Sequence, residues 1–156
     1  MSKVLIVNNT SFDYPEAGDP KGWGEEATAW AEEVTAVIGD LKGPNDIIQT
    51  SFTIANNTLI ASDIVGLTFD AATVRMAEIS YNVYRITDST EINESGTIII
   101  QYYSTSGTWD LGQDYIGDAS TIFSITNAGQ VQYTSSNLAG LNYEGTITFR
   151  AKTLDQ

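Results

Sequence analysis

The chain has neither cysteine nor histidine. The first absence excludes a disulfide framework and any thiolate chemistry, and it leaves the redox compartment unspecified. The second removes the commonest general base and the commonest transition-metal ligand together. Basic residues are also scarce: 7 Lys and Arg stand against 20 Asp and Glu, a formal charge of −13, which disfavours unspecific attraction to nucleic acid or to an anionic membrane. Long apolar runs are missing too. The opening Val4-Leu5-Ile6-Val7 is too short for a signal-peptide core or a bilayer span. Charged residues make up only 17% of the chain, against the roughly 25–35% usual for a soluble surface, so much of the exterior must be neutral polar or apolar. A protomer whose sides are covered in an assembly has that composition.

What is present divides into three. Residues 1–22 begin with a strand-like Lys3–Asn8. Tyr14-Pro15, Gly18, Asp19-Pro20 and Gly22 then make a spacing of breakers expected to exclude regular structure over 9–22 and to leave an extended arm. Residues 23–45 hold the only helical pattern, from about Gly24 to Leu41, with Glu25 and Glu26 in the first turn and Gly43-Pro44 as its stop. Residues 46–156 change to a period of two. The segments 47–55, 58–62, 66–69, 74–87, 97–104, 121–126, 130–135 and 145–152 are rich in Ile, Val, Thr, Tyr and Phe. Turn clusters at 56–57, 93–96, 106–107, 127–129 and 141–145 separate them. Eight short strands of this kind predict a mainly β fold, an antiparallel β-sandwich or jelly-roll-like domain preceded by the arm and one α-helix. In 74–87, Ala77, Ile79, Tyr81 and Val83 share the core face and Glu78, Ser80, Asn82 and Tyr84 the wet one.

Trp23, Ala27, Trp30, Val34, Val37 and Leu41 follow one another at the 4-3-4-3-4 spacing of a heptad seam. Such a stripe must bury against the β domain, against copies of itself, or against another protein. Together with Tyr14 of the arm it is the candidate anchoring and oligomerisation element. The flanking Glu26, Glu33 and Asp40 are uniformly acidic and find no opposite charge across the seam, so self-association here would rest on packing alone.

Candidate chemistry is sparse. Asp110, Asp114 and Asp118 form a carboxylate cluster of the type that could serve glycoside hydrolysis or Ca²⁺ binding, but the spacing matches no metal loop and reads first as a solvated acidic loop. Tyr103, Trp109 and Tyr115 could present aromatic faces to a host-surface glycan, the alternative being core and rim packing. Tyr102 and Tyr103 point to opposite faces of their strand, so one platform takes at most one of them. No cofactor and no metal site are expected.

The wording of two blocks resembles one family. Tyr14-Pro15-Glu16, Gly22-Trp23-Gly24-Glu25 and Ala27-Thr28-Ala29-Trp30-Ala31 at one end, and Phe123 through Gly140 at the other, are similar to virion structural proteins encoded by tailed bacteriophages. The resemblance implies a trimeric β-rich module displayed on a particle as head decoration, head fibre or tail-fibre component, and it brings no catalytic residue with it. Combined with the acidic charge, which disfavours a DNA-filled interior, it places the protein on the outer surface of the head or on the tail. The expectation is a non-enzymatic homotrimer, a capsid decoration or head-fibre protein bound to other virion proteins through residues 1–45. The alternatives are a tail-fibre or baseplate attachment module and a carbohydrate-binding β-sandwich module.

Overall fold

The computed structural model describes residues 3–7, 10–14, 24–41 and 43–155, with side chains described at 27–35 and 43–155. The chain divides into two compact units, Met1–Pro44 and Asn45–Gln156.

In the first unit β1 (Lys3–Val7) and β2 (Thr10–Tyr14) pair antiparallel from Lys3↔Tyr14 to Val7↔Thr10, and α1 (Gly24–Leu41) packs on them. The hairpin corrects the expectation of an unpaired arm over residues 9–14. The β-branched apolar run of Lys3–Val7 and the alternation in Thr10–Tyr14 are enough for two strands once they pair. The breakers that argued against regular structure begin only at Pro15, and residues 15–22 lie outside the described residues. The helix has the expected bounds.

The second unit is a mainly β sandwich of two antiparallel sheets. Its eight strands are β3 (Ile47–Thr53), β4 (Thr58–Thr68), β5 (Val74–Ile86), β6 (Glu91–Tyr103), β7 (Thr108–Gly117), β8 (Thr121–Ile125), β9 (Gln130–Ser135) and β10 (Glu144–Asp155). The large sheet has the order β3-β10-β5-β6-β7 and the small one β4-β9-β8. Period-two patterning sends Ala77, Ile79, Tyr81, Val83, Ile98, Ile100, Ile147 and Phe149 inward from the large sheet, to meet Ile64, Leu67, Phe123, Val131 and Tyr133 of the small one. Three aromatic pairs bridge the layers: Tyr81 with Phe123 at 5.0 Å, Phe52 with Tyr133 at 6.1 Å and Phe69 with Trp109 at 6.5 Å between ring centroids.

Three boundaries differ from expectation, each because pairing overrides local composition. The expected turn Asn93–Gly96 lies inside β6, held between β5 and β7, with Glu94 turned into the core. The expected acidic loop is the edge strand β7. Its Asp110 and Asp114 face out while Trp109 and Leu111 face in. The segments 58–62 and 66–69 merge into one bulged strand, whose register against β9 slips between Thr58 and Ser62 and again between Asp63 and Thr68. The Gln130 side-chain amide reaches across that second slip to the carbonyls of Ile64 and Leu67, at 3.0 and 3.3 Å, and supplies donors the ladder does not.

At the end of the sandwich where β7 crosses to β8, β3 to β4 and β9 to β10, the Arg85 side chain is fully buried. Its Nε donates to the Tyr143 hydroxyl at 3.2 Å. Nη1 donates to the Ala119 and Ser120 carbonyls at 2.7 and 3.4 Å, and Nη2 to Asn56 Oδ1 and the Ser136 carbonyl at 3.0 and 2.6 Å. The five N–H groups of a guanidinium thus each have an acceptor, and the Tyr143 ring lies 5.5 Å from the guanidinium carbon. Replacing Arg85 with Met would remove the donor to the Ser136 carbonyl and the donors that the Ala119 and Ser120 carbonyls and Asn56 Oδ1 share with the Thr121 hydroxyl, the Ser136 amide and the Leu138 amide. The expected loss is at least about 3 kcal/mol of unfolding free energy, read from the shift of the urea midpoint. A loss below about 1 kcal/mol would show that the loops satisfy themselves without it.

Candidate functional site

The expected anchoring residues fall in the first unit. Ala-rich composition and the absence of an internal proline make 24–41 helical, and Gly43-Pro44 ends it in a turn. Ala27, Trp30 and Val34 are half-buried, as is Glu33, while Thr28, Ala29, Ala31, Glu32 and Thr35 are exposed. The 3-4 spacing therefore lies on one stripe, on a helix that packs against the hairpin. Val37 and Leu41 continue the same register in the helix and Tyr14 ends β2 opposite Lys3, their side chains lying outside the described residues. Trp23 also lies outside them.

The three candidate ligand-binding aromatics do not come together. Trp109 is a core residue, 7% exposed, stacked obliquely on Tyr102 at 5.1 Å and on Phe69. Its indole nitrogen is buried without a hydrogen-bond partner. Tyr103 pairs with Thr108 on the outer face of the large sheet, whereas Tyr115 pairs with Gly96 in the inward register of Trp109 and Leu111. Seven residues of extended chain, about 24 Å, separate the two positions as well. Tyr103 and Tyr115 are each exposed, but on opposite faces.

The carboxylates are likewise dispersed. Asp110 and Asp114 lie four residues apart along β7, roughly 14 Å between Cα atoms, well beyond the roughly 5–9.5 Å between the carboxyl groups of paired glycosidase acids. The Asp110 carboxylate accepts from the Leu111 amide at 2.9 Å. Asp118 caps the next turn by accepting from the Ser120 amide at 2.6 Å. Among the described residues no group of three or more His, Cys, Asp or Glu could hold a metal ion.

The concentrated polar chemistry lies instead inside the sandwich. The Tyr81 hydroxyl donates to Glu94 Oε1 at 2.7 Å, Gln113 Nε2 donates to that same oxygen at 3.1 Å, and the Ala119 amide donates to Glu94 Oε2 at 3.1 Å. Burial first, and the Glu94 carboxylate second, push the Tyr81 phenol well above its ordinary value of 10.0. Ala119 is held from both sides, its N–H by Glu94 and its carbonyl by Arg85. These groups fasten the β7–β8 corner. Tyr81 and Glu94 are buried within the sandwich, where their hydrogen bonds orient structure.

On the outside, the small sheet carries a shallow cleft of about 280 Å³ lined by Thr58, Leu59, Asp118, Ser120, Ile122 and Thr134 with the following Ser135 and Ser136. Leu59 and Ile122 are 77% and 71% exposed, beside Ile60 at 84%. Sequence reasoning missed this cleft, because its lining comes from three strands and the β7–β8 corner, which only the tertiary fold brings together.

No protein-family model and no curated protein matches the chain. Among solved structures, the crystal structure of the Acinetobacter phage vB_ApiP_P1 tailspike protein aligns over 69% of this chain with a TM-score of 0.43 and 11% identity, a stretch that spans 21% of that chain.

The Tyr81 shift gives a pH dependence. A phenol held protonated in the folded state contributes stability that is complete below its unfolded value and lost as pH rises past it. Urea midpoints of the parent and of Tyr81→Phe should therefore differ most at neutral pH, and the gap should narrow as pH climbs above 10.0. A gap that widens there would reverse the assigned sign.

Proposed function

We propose that this chain is a non-enzymatic structural protein of a tailed-phage virion, a homotrimeric capsid decoration or head-fibre protein attached through residues 1–45. The supporting observation is the distribution of apolar surface. Leu59, Ile60, Val65, Ile116, Ile122 and Leu141 are each exposed by more than 70%, although the chain carries a net charge of −13. An acidic protein that leaves that many large aliphatics in water has surfaces meant to be covered. The half-buried stripe Ala27-Trp30-Val34 sits in a unit of its own, as an attachment element would. The virion setting draws on the wording of residues 14–31 and 123–140. The dispersal of Asp110, Asp114 and Asp118 disfavours the hydrolase alternative, and the burial of Trp109 disfavours a glycan platform built on it.

Sedimentation of the full chain at micromolar concentration should give about three times the 16.9 kDa protomer mass. Trp30→Ala should weaken assembly or particle attachment by roughly a hundredfold or more, since truncating a packed Trp costs at least about 3 kcal/mol and about 1.4 kcal/mol is a factor of ten. Glu32→Ala, an exposed neighbour, should behave like the parent. A protomer mass for the parent, or antibody labelling that leaves both heads and tails of particles bare, would overturn the proposal.

A further inference from the structure

The sheets of the second unit end in β3 and β7 on the large one and in β4 and β8 on the small one. An edge strand presents a row of unpaired backbone groups, and folded proteins blunt such edges with charge or with irregular register. β7 carries Asp110 and Asp114, and β4 slips twice against β9. β8 has neither protection. Thr121–Ile125 is uncharged and pairs with β9 without a break from Thr121↔Ser135 to Ile125↔Val131. The Ser136 amide donates to the Ser120 carbonyl and the Thr126 amide to the Gln130 carbonyl, so the bonded pairs are those of the even-numbered residues. The alternate residues Thr121, Phe123 and Ile125 therefore aim their N–H and C=O groups away from β9, at the open edge.

The opposite layer reaches past that edge. The Phe123 ring meets Tyr81 of β5 at 5.0 Å, and across the large sheet Tyr81 is followed by Gly96 of β6 and Tyr115 of β7. At this level β6 and β7 therefore lie one and two strands beyond β8, about 5 and 10 Å. Tyr115 is in the inward register of Leu111 and Gln113 yet 56% exposed, as a residue beyond the last strand of the small sheet would be. Gly96 gives it room, since a Cβ there would fall 2.7 Å from Tyr115 Cβ. β3 is uncharged as well, but its Phe52 faces Tyr133 of β9, so the strand opposite that edge is the slipped β4, which offers no regular wall.

We infer that the flank of β8, walled by Gly96 and Tyr115, is a docking site for one extended peptide of a partner protein, added as a fourth strand to the small sheet. The backbone fixes the conformation, because donors and acceptors repeating every second residue along an edge are matched by another strand. A second β8 is excluded as the occupant. Two β8 edges paired about a two-fold axis would bring both large sheets to the same side, and the β6 and β7 of each copy would occupy the space of the other's. The surroundings fix the chemistry. Alternate side chains of the added strand face Tyr115 and the space over Gly96, which suits aliphatic groups, while the others continue the outer row of Ile122 and Ser124. Asp114 on the neighbouring β7 and Asp118 at the corner leading into β8, in a chain of net charge −13, select basic over acidic residues at the peptide's ends. The inference needs neither the virion setting nor the oligomeric state of the proposed function.

The test mixes the full chain with a synthetic peptide, Lys-Val-Thr-Val-Thr-Val-Lys with blocked ends, and follows amide hydrogen exchange. At saturation the Phe123 and Ile125 amides should exchange at least about tenfold more slowly, and the amides of β3 should be unchanged. The same peptide N-methylated at alternate amides cannot donate to the edge and should not bind. Two variants should each weaken binding at least about tenfold: Tyr115→Ala, which removes the wall, and Ile125→Pro, which deletes an edge donor that the β8–β9 ladder does not use. Ile116→Ala, on the outer face of β7, should bind like the parent. Unchanged exchange at Phe123 and Ile125 up to millimolar peptide, slowing confined to β3, or binding that survives both N-methylation and Tyr115→Ala overturns the inference. Equal affinity for a peptide ended by glutamates in place of lysines overturns the partner chemistry assigned to it.

Discussion

The second unit depends on one buried cation. Arg85 has no carboxylate within its hydrogen-bonding shell and is neutralised by neutral oxygens alone, drawn from the loops that connect the two sheets. A guanidinium suits this because its donors point in fixed directions in one plane and its charge is delocalised; a lysine ammonium offers three donors and a stronger demand for water. Sheet-to-sheet packing alone fixes spacing but leaves the connecting loops free. Arg85 ties Asn56 of the β3–β4 loop, Ala119 and Ser120 of the β7–β8 corner, Ser136 beyond β9 and Tyr143 before β10 to one point. Glu94 holds the same Ala119 peptide from its other side. The corner peptide therefore links an anion and a cation that never touch, and each buried charge is met by dipoles.

That internal order sets what the exterior presents. Once the β7–β8 corner is fixed, Asp118 and Ser120 close the cleft's rim and Ile122 enters β8 pointing outward. The polar groups a soluble sheet would normally show to water are partly turned inward here, at Arg85, Glu94 and Tyr81, while aliphatic side chains face out from the small sheet. Such an exterior is what the proposed assembly would cover.

Much of this was legible in the residues. The helix bounds, the two-residue period from Ile47 onward, the inward face of β5 and the turns at Asn56-Asn57 and Asn127–Gly129 all follow from local pattern, because there propensity and tertiary pairing agree. Asn57 and Gly129 take the positive φ values such turns require. Legibility failed where they disagree. Thr108–Gly117 carries two Asp and two Gly and looks like a loop, yet Trp109 and Leu111 alternate with Asp110 and Gly112 as an acidic edge strand requires. Glu94 reads as a turn residue until β6 is extended to Glu91, when it falls on the same face as Ile98 and Ile100. Arg85 carried a usable signal, since it continues the parity of Ala77, Ile79, Tyr81 and Val83 into the core. The register slips of β4 had no local signature.

The most direct test of the account is whether the sandwich stands without the preceding unit. Its start is stitched to its end: Asn45 Nδ2 donates to Asp155 Oδ1 at 2.9 Å, and Asp46 accepts from the Lys152 ammonium and the Thr153 amide at 2.6 and 2.7 Å. Among the described residues its core cluster is drawn from residues 47–151. Urea unfolding of residues 43–156 followed by circular dichroism should show a β-rich, cooperative transition with a midpoint close to that of the sandwich in the full chain. Loss of cooperativity on removing residues 1–42 would contradict the account and make the Trp30 stripe part of the core it was thought to serve from outside.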